Sequence, residues 1–177
     1  GQDVDKRVQA VEGFWHRGLL DPESNVQFGE GGAGTFSDGK LTTRIHDPRC
    51  GFVMEQLTRF GAPEETMQKA KPHIGTDKLR SVVKNLREEV CRLGGEVRFG
   101  VKLESITQND GKLTGIRADG QIIPVEQLVL AIGHSARDTF EMLMEQQIPM
   151  TTKPFSVGVR IEHPQELIDR GLYGQFA

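Results

Sequence analysis

The sequence predicts an α/β fold, and three observations along the chain point to it. Apolar residues at three-to-four spacing over 76–93 mark an amphipathic helix that ends at two glycines. Alternating stretches separated by Asn-Asp-Gly and Ala-Asp-Gly follow, which indicates an antiparallel meander. The apolar run over 127–133 is typical of a strand buried on both faces. This order favours a meander inserted before a core strand of a mostly parallel sheet.

Each remaining element is predicted from its periodicity and its flanking residues. Helices are expected over 3–20, from about 49 to 60, over a short stretch within 62–72, and over 136–147. In the first of these the apolar face comprises Val4, Val8, Val11 and Trp15. The meander strands are expected at 96–108, 112–118 and 121–125, and a last extended run at 153–163. Thr76 or Asp77 is expected to cap the start of the amphipathic helix over 76–93.

Composition indicates a globular protein without a strong electrostatic preference. The 177 residues are 36% hydrophobic and 27% charged, with a formal net charge of -3. The absence of a long basic run argues against nucleic acid or an anionic membrane as the main partner, and no apolar stretch approaches the roughly 20 residues of a membrane span. Because Cys50 and Cys91 are far apart and the first residues lack a signal-peptide pattern, a cytoplasmic location is expected.

A glycine-rich segment raises the question of a nucleotide site. Gly29, Gly31 and Gly34 follow the spacing G-x-G-x-x-G of dinucleotide-binding turns. The surrounding sequence does not fit that motif, because only four residues precede it after a proline-containing loop and Gly39 interrupts the place of the following helix. Two interpretations remain: a loop whose backbone closely approaches another group, or a flexible surface loop.

Four long motifs resemble a family of FAD-dependent dehydrogenases in the glutathione-reductase-like group of two-domain flavoproteins. They are NVQFGEGGAGTFSDGKLTTR, KPHIGTDKLRSVVKNLREEVCRLGGEVRFG, LVLAIGHSARDTFEMLMEQ and KPFSVGVRIEHPQELID. The resemblance implies a partial, three-layer, Rossmann-like FAD-binding domain at 1–45 and 76–150. It further implies a helical insert at 46–75 and the start of an α+β substrate domain at 151–177. The family's own dinucleotide fingerprint would precede Gly1.

The same resemblance implies cofactor-binding residues in three segments. They are Gly31, Gly32, Gly34, Thr35, Ser37, Lys40, Leu103, Gly133 and Ser135. Backbone N–H groups of the glycine segment and the Ser37 hydroxyl would face the FAD pyrophosphate or ribityl chain. Lys40 would add a positive charge there, or is an ordinary solvated lysine.

The other two segments leave similar alternatives open. Backbone groups near Leu103 would lie against the adenine ring, or Leu103 is a plain sheet residue. Gly133 would let the chain pass close to the flavin's phosphate side, where a Cβ would obstruct it. Ser135 would contact the cofactor or cap the helix that follows it.

The implied activity is hydride transfer between an unidentified small-molecule substrate and FAD, with NAD(P)H as an expected electron donor or acceptor. No catalytic residue is identified from the sequence. Two alternatives are a folded fragment without cofactor or activity, and a flavin-containing binding or sensor protein. Further parts of a parent chain are expected partners, and self-association through an unpaired sheet edge is left open.

Some chemically suggestive residues carry weaker hypotheses. His46, Asp47 and Cys50 lie close in sequence but lack the paired spacing of a zinc site. The remaining three are His73, Arg80 and Arg160. The histidine is either structural or close to a cleft, and the two arginines either hold an anionic substrate or are solvated.

Overall fold

The computed structural model describes residues 1–43, 45–68 and 72–176, and it combines helix and strand. The helices are α1 (Val4–Arg17), α2 (Arg49–Arg59), α3 (Thr76–Arg92), α4 (Arg137–Glu145) and α5 (Gln165–Tyr173). The strands are β1 (Leu103–Asn109), β2 (Lys112–Ala118) and β3 (Gln121–Pro124). Short 3-10 turns lie at Ala33–Phe36, Glu64–Met67 and Gly174–Phe176. The prediction of a mixed α/β fold is therefore confirmed at this level. The chain divides into two compact units, Gly1–Gln147 and Ile148–Ala177.

The predicted meander is present as one antiparallel sheet in the order β1-β2-β3. Both hairpins turn through residues with positive φ, at 49° and 75° for Asp110 and Gly111 and at 49° and 72° for Asp119 and Gly120. Such pairs form the type I′ turn that matches strand twist. The first strand is shorter than predicted, because β2 ends opposite Leu103 and leaves the residues before it without a partner strand.

The α3 helix supplies the centre of a buried hydrophobic cluster. Its Val82 is fully buried and packs with Ala62 and Ile74, which come from the segment before the helix. Leu41, Leu57, Phe60, Leu79 and Leu86 surround this cluster. The residues over 46–75 that the structure describes therefore share their core with α3.

The α1 helix differs from its predicted apolar face. Asp3 caps it by accepting from the N–H groups of Asp5 and Lys6, and Val4 and Val11 are buried as expected. Trp15 is 59% exposed, so its placement in the interior was wrong. Its ring instead forms an edge-to-face contact with the Phe36 ring, with the centroids 6.4 Å apart.

The predicted buried strand over 127–133 is wrong. Described residues 127–133 form no strand, and Val129 is 88% exposed. A strand forms when a neighbour pairs with its backbone, and no such neighbour lies among the described residues. The short helix predicted within 62–72 is represented by the 3-10 turn, while residues 69–71 of that prediction lie outside the described residues.

The second unit contains an extended segment and α5. The extended run over 153–163 forms no strand, and its alternating Phe155, Val157, Val159 and Ile161 side chains are exposed. Helix α5 was not predicted. It starts after Pro164, and the Gln165 Nε2 donates to Asp169 Oδ1 at 2.7 Å across one helical turn. Across both described units, no helix combines the length and apolar character of a bilayer span.

Candidate functional site

Arg7 of α1 anchors the glycine-rich segment by hydrogen bonds to its backbone. The Arg7 side chain is fully buried. Its Nε donates to the Asn25 carbonyl at 2.8 Å, one terminal nitrogen donates to the Val26 carbonyl at 2.8 Å, and the other donates to the Glu30 carbonyl at 2.6 Å. Burial lowers the pKa of Arg7 from its ordinary value. The guanidinium offers donors in a fixed fork, so it holds several carbonyls in one relative arrangement.

Glu30 joins the same segment to two helices. One oxygen of its nearly buried carboxylate accepts from the Val4 N–H at 2.7 Å, and the other lies 2.8 Å from Arg87 Nε on α3. A carboxylate at this position favours the helix because the first N–H groups of α1 lack partners within it. The Glu30 N–H also donates to the Gln2 carbonyl at 3.0 Å. The segment is thus fixed between α1 and α3.

Two glycines of the motif are required by close packing. Gly29 has a φ of +119°, and a Cβ there would lie 2.6 Å from Arg7 Cδ. Gly31 has a φ of +83°, and a Cβ there would overlap the Thr35 Oγ1 and lie 3.0 Å from a Val83 methyl. Both positions favour glycine for space as well as for backbone conformation.

The predicted binding residues in this segment have different surroundings. Nothing lies within 4 Å of the place that a Cβ would take at Gly32 or at Gly34. Thr35 is fully buried, and its hydroxyl donates to the Glu30 carbonyl at 3.3 Å. Exposed Ser37 donates to the Gly34 carbonyl at 2.9 Å. Lys40 is exposed and lies 3.3 Å from an Asp38 carboxylate oxygen.

A cavity of about 580 Å³ lies beside this segment, within the first unit. Its wall comprises Gly1, Gln2, Pro22, Glu23, Phe28, Gly29, Gly100, Val101, Lys102, Ile132, Ser135, Ala136, Arg137, Asp138 and Thr139. These residues come from the chain start, the beginning of the glycine segment, the entry to β1 and the entry to α4. The volume falls within the roughly 300–1,000 Å³ typical of small-molecule sites.

Two charged side chains form an ion pair at the cavity wall. Lys102 Nζ lies 2.6 Å from Asp138 Oδ2. The lysine lowers the pKa of the Asp138 carboxyl through their hydrogen bond, and the carboxylate raises the pKa of Lys102 in the same way. Both groups are consequently charged at neutral pH, which suits them to holding a polar ligand more than to exchanging protons.

The three segments predicted to bind the cofactor differ in how many of their predicted residues line the cavity. Ser135 is the member of the predicted set that lines it, at the entry to α4. Leu103 and Gly133 each follow a lining residue, namely Lys102 and Ile132. Gly31, Gly32, Gly34, Thr35, Ser37 and Lys40 do not line it. Ser135 makes no cap of α4, since the Ala136 N-cap lacks a side-chain hydrogen bond.

The weaker candidates do not line the cavity. Asp47 accepts from Arg49 through both carboxylate oxygens, at 2.8 and 2.6 Å. Within the described ranges, no three His, Cys, Asp or Glu side chains come together as a metal site. The backbone of His73 pairs with that of Lys40 in an isolated antiparallel β-bridge. The Arg80 guanidinium carbon lies over the Phe36 ring, 5.1 Å from its centroid. Arg160 is exposed in the second unit.

Sequence reasoning missed the residues that shape this region most directly. Arg7 and Glu30 are charged residues in patterns that ordinarily indicate exposure. Lys102 and Asp138 are far apart in sequence, so their pairing has no local signal. One signal for the burial of Arg7 was present in the sequence. Arg7 lies three residues after Val4 and four before Val11, so it shares their helical face.

Comparison with known proteins identifies similar chains. No protein-family model matches. The chain is 62% identical over 174 residues to an uncharacterized protein of Clostridium beijerinckii, which covers 98% of this chain and 33% of that protein. It is 27% identical over 84 residues to Protein FixC of Escherichia coli O157:H7 and of strain K12, covering 48% of this chain and 20% of each FixC. The chain thus spans about a third of the length of the Clostridium protein.

Proposed function

We propose that this chain is part of an FAD-dependent oxidoreductase that transfers hydride between a small-molecule substrate and FAD. The proposal rests on the motif resemblance together with one structural observation. Parts of three of the four motifs with that resemblance border one cavity: Phe28 and Gly29 from the first, Gly100 from the second, and Ile132 and Ser135 from the third. We infer a Rossmann-like arrangement for the parent protein, to which this chain contributes the meander and flanking helices.

The lining residues fit a flavin nucleotide chemically. Gly100 presents backbone without a side chain, with nothing within 4 Å of the place that a Cβ would take, which lets a flat or extended ligand approach closely. The Lys102 ammonium, whose charge Asp138 offsets, has N–H donors beyond its bond to that carboxylate for a phosphate oxygen, and the Ser135 hydroxyl supplies another donor. Phe28 and Ile132 provide apolar surface for a ring. Bound FAD would supply the hydride chemistry, while these residues would bind and orient it.

The test is flavin retention by the purified chain. The visible absorption spectrum is recorded before and after incubation with FAD and desalting, and the dissociation constant is measured by flavin fluorescence. Retained flavin that NAD(P)H or another reductant reduces supports the oxidoreductase. Retained flavin that no reductant reduces favours a binding module. Failure to retain flavin argues against a flavin site in this chain.

A matched pair of lysine variants tests the location of the site. Lys102→Gln removes the charge at the cavity wall, and we expect FAD affinity to fall about tenfold from the loss of a charge-assisted contact. Lys112→Gln removes an exposed charge at the first hairpin, which is not among the lining residues, and should leave affinity unchanged. Equal affinities in the two variants would contradict binding beside Lys102.

A further inference from the structure

The Arg7 side chain holds the backbone on both sides of one cavity wall but does not itself line the cavity. Phe28 and Gly29 form that wall. Arg7 bonds to the carbonyls of Asn25 and Val26 just before it, and to the Glu30 carbonyl directly after it. Both ends of the wall are therefore tied to one rigid guanidinium group.

Gly29 rests directly on the same side chain. A Cβ at Gly29 would lie 2.6 Å from Arg7 Cδ, 3.0 Å from its Nε and 3.3 Å from its Cγ. The Arg7 side chain thus fills the space that a side chain at position 29 would need. The contact with Arg7 therefore limits how far Gly29 can move away from the cavity, and the three hydrogen bonds fix the backbone on either side of the wall.

Local hydrogen bonds also hold the wall, since the Asn25 side-chain oxygen accepts from the Gln27 and Phe28 N–H groups at 2.8 and 3.2 Å. The Asn25 N–H donates to the Phe28 carbonyl at 3.1 Å, and the Gly32 N–H donates to the Gly29 carbonyl at 3.0 Å. The Glu30 N–H donates to the Gln2 carbonyl at 3.0 Å. These bonds define turns at the two ends of the wall, whereas Arg7 connects one end to the other.

We propose that Arg7 is a positioning residue that fixes the Phe28–Gly29 wall of the cavity and thereby sets its affinity for the flavin nucleotide. The affinity part rests on the proposed function, whereas the wall geometry does not. Arg7 contacts no ligand in this scheme, because it lies outside the cavity lining. It acts through the carbonyls that it holds and through its contact with Gly29.

The first experiment compares Arg7→Lys with Arg17→Lys, an exposed arginine on the same helix. Lysine keeps the charge at position 7 but cannot reach three carbonyls in the same geometry. We expect amide exchange of Glu30 and Gly32 to speed up about tenfold or more and FAD affinity to fall about tenfold, while Arg17→Lys changes each by less than about twofold. Unchanged exchange in Arg7→Lys would overturn the proposal.

The second experiment is a double-mutant cycle between positions 7 and 29. Gly29→Ala is measured in the wild type and in Arg7→Ala, where the contacted Cδ, Cγ and Nε are gone. We expect alanine at position 29 to accelerate exchange of the Gly32 amide less in the Arg7→Ala background, because only the backbone strain remains. Equal accelerations in both backgrounds would contradict direct positioning.

The two proposals fail in different ways. If amide exchange in Arg7→Lys is unchanged and positions 7 and 29 show no coupling, while the chain still binds flavin, the role of Arg7 is rejected and the proposed function stays intact. Exchange and coupling effects in a chain that binds no flavin would reject the flavin site and support Arg7 as the residue that shapes the wall. Faster exchange in Arg7→Lys at unchanged flavin affinity would reject the effect of the wall on binding.

Discussion

Gly31 and Gly34 belong to one sequence motif but have different structural requirements. A side chain at Gly31 would overlap Thr35 and press on Val83, whereas nothing lies within 4 Å of a Cβ at Gly34. We expect Gly31→Ala to destabilise the protein by about 2 kcal/mol or more, from overpacking and an unfavourable φ. Gly34→Ala serves as the matched control and should change stability by less than about 1 kcal/mol. Urea unfolding measures both, and equal losses would contradict this difference.

The Asp3 cap makes a pH-dependent contribution to stability. Its side chain accepts from the Lys6 N–H at 3.0 Å and from the Asp5 N–H at 3.1 Å. These bonds, led by that to the Lys6 backbone, lower the pKa of the Asp3 carboxyl. Because the folded pKa lies below the unfolded value of about 3.9, the contribution is present above that value and is lost as pH falls through the folded pKa.

We expect Asp3→Ala to lose about 1 kcal/mol of stability at neutral pH. The loss should shrink as pH falls below about 4, since the wild-type cap is then protonated. Asp3→Asn keeps an oxygen acceptor and should retain most of the stability at neutral pH without the acid dependence. Thermal unfolding from pH 7 to pH 3 measures all three proteins, and a loss in Asp3→Ala that is constant with pH would contradict the ionised cap.

A side-chain amide closes one position on the outer edge of β1. Gln146, at the end of α4, accepts from the Ile106 N–H at 2.9 Å and donates to the Ile106 carbonyl at 3.0 Å. The amide therefore pairs with the backbone as a neighbouring strand would. It is also a polar link between the end of α4 and the meander.

Gln146→Met preserves length and removes both hydrogen bonds. We expect a loss of about 1–2 kcal/mol and faster exchange of the Ile106 amide, since two neutral bonds of ordinary strength disappear. Glu145→Met changes an exposed neighbour on the same helix and serves as the control. If the Ile106 amide exchanges at the same rate in both variants, Gln146 does not protect this edge.

The elements differ in how well the sequence predicts them. The meander follows from two local turn signals, and α1 and α3 follow from apolar periodicity, since each of these patterns acts over a few residues. The run over 127–133 misled because an apolar stretch forms a strand only where a partner strand exists. For the candidate site, Ser135 was predicted from the motif resemblance and lines the cavity, whereas Arg7 and the pair Lys102–Asp138 depend on contacts between distant segments.

At the scale of the whole molecule, the two compact units differ in protection. The first unit holds the buried core, while the described residues of the second, up to residue 176, are mostly exposed. We expect trypsin to cleave first after Arg160, in the exposed extended segment, and to spare Arg7, which is fully buried. Mass spectrometry of early digestion products measures the order. Cleavage in α1 before the extended segment would contradict this difference.

The sheet is poorly suited to extension by a further strand at either side. Gln146 occupies the backbone of Ile106 on β1, and β3 is only four residues long and ends at Pro124, which has no N–H to donate. The meander is therefore a weak template for polymerisation. Nucleation of fibrils in a concentrated solution should instead start in the exposed run from Phe155 to Ile161, whose alternating apolar side chains have β-forming character and meet no such obstacle.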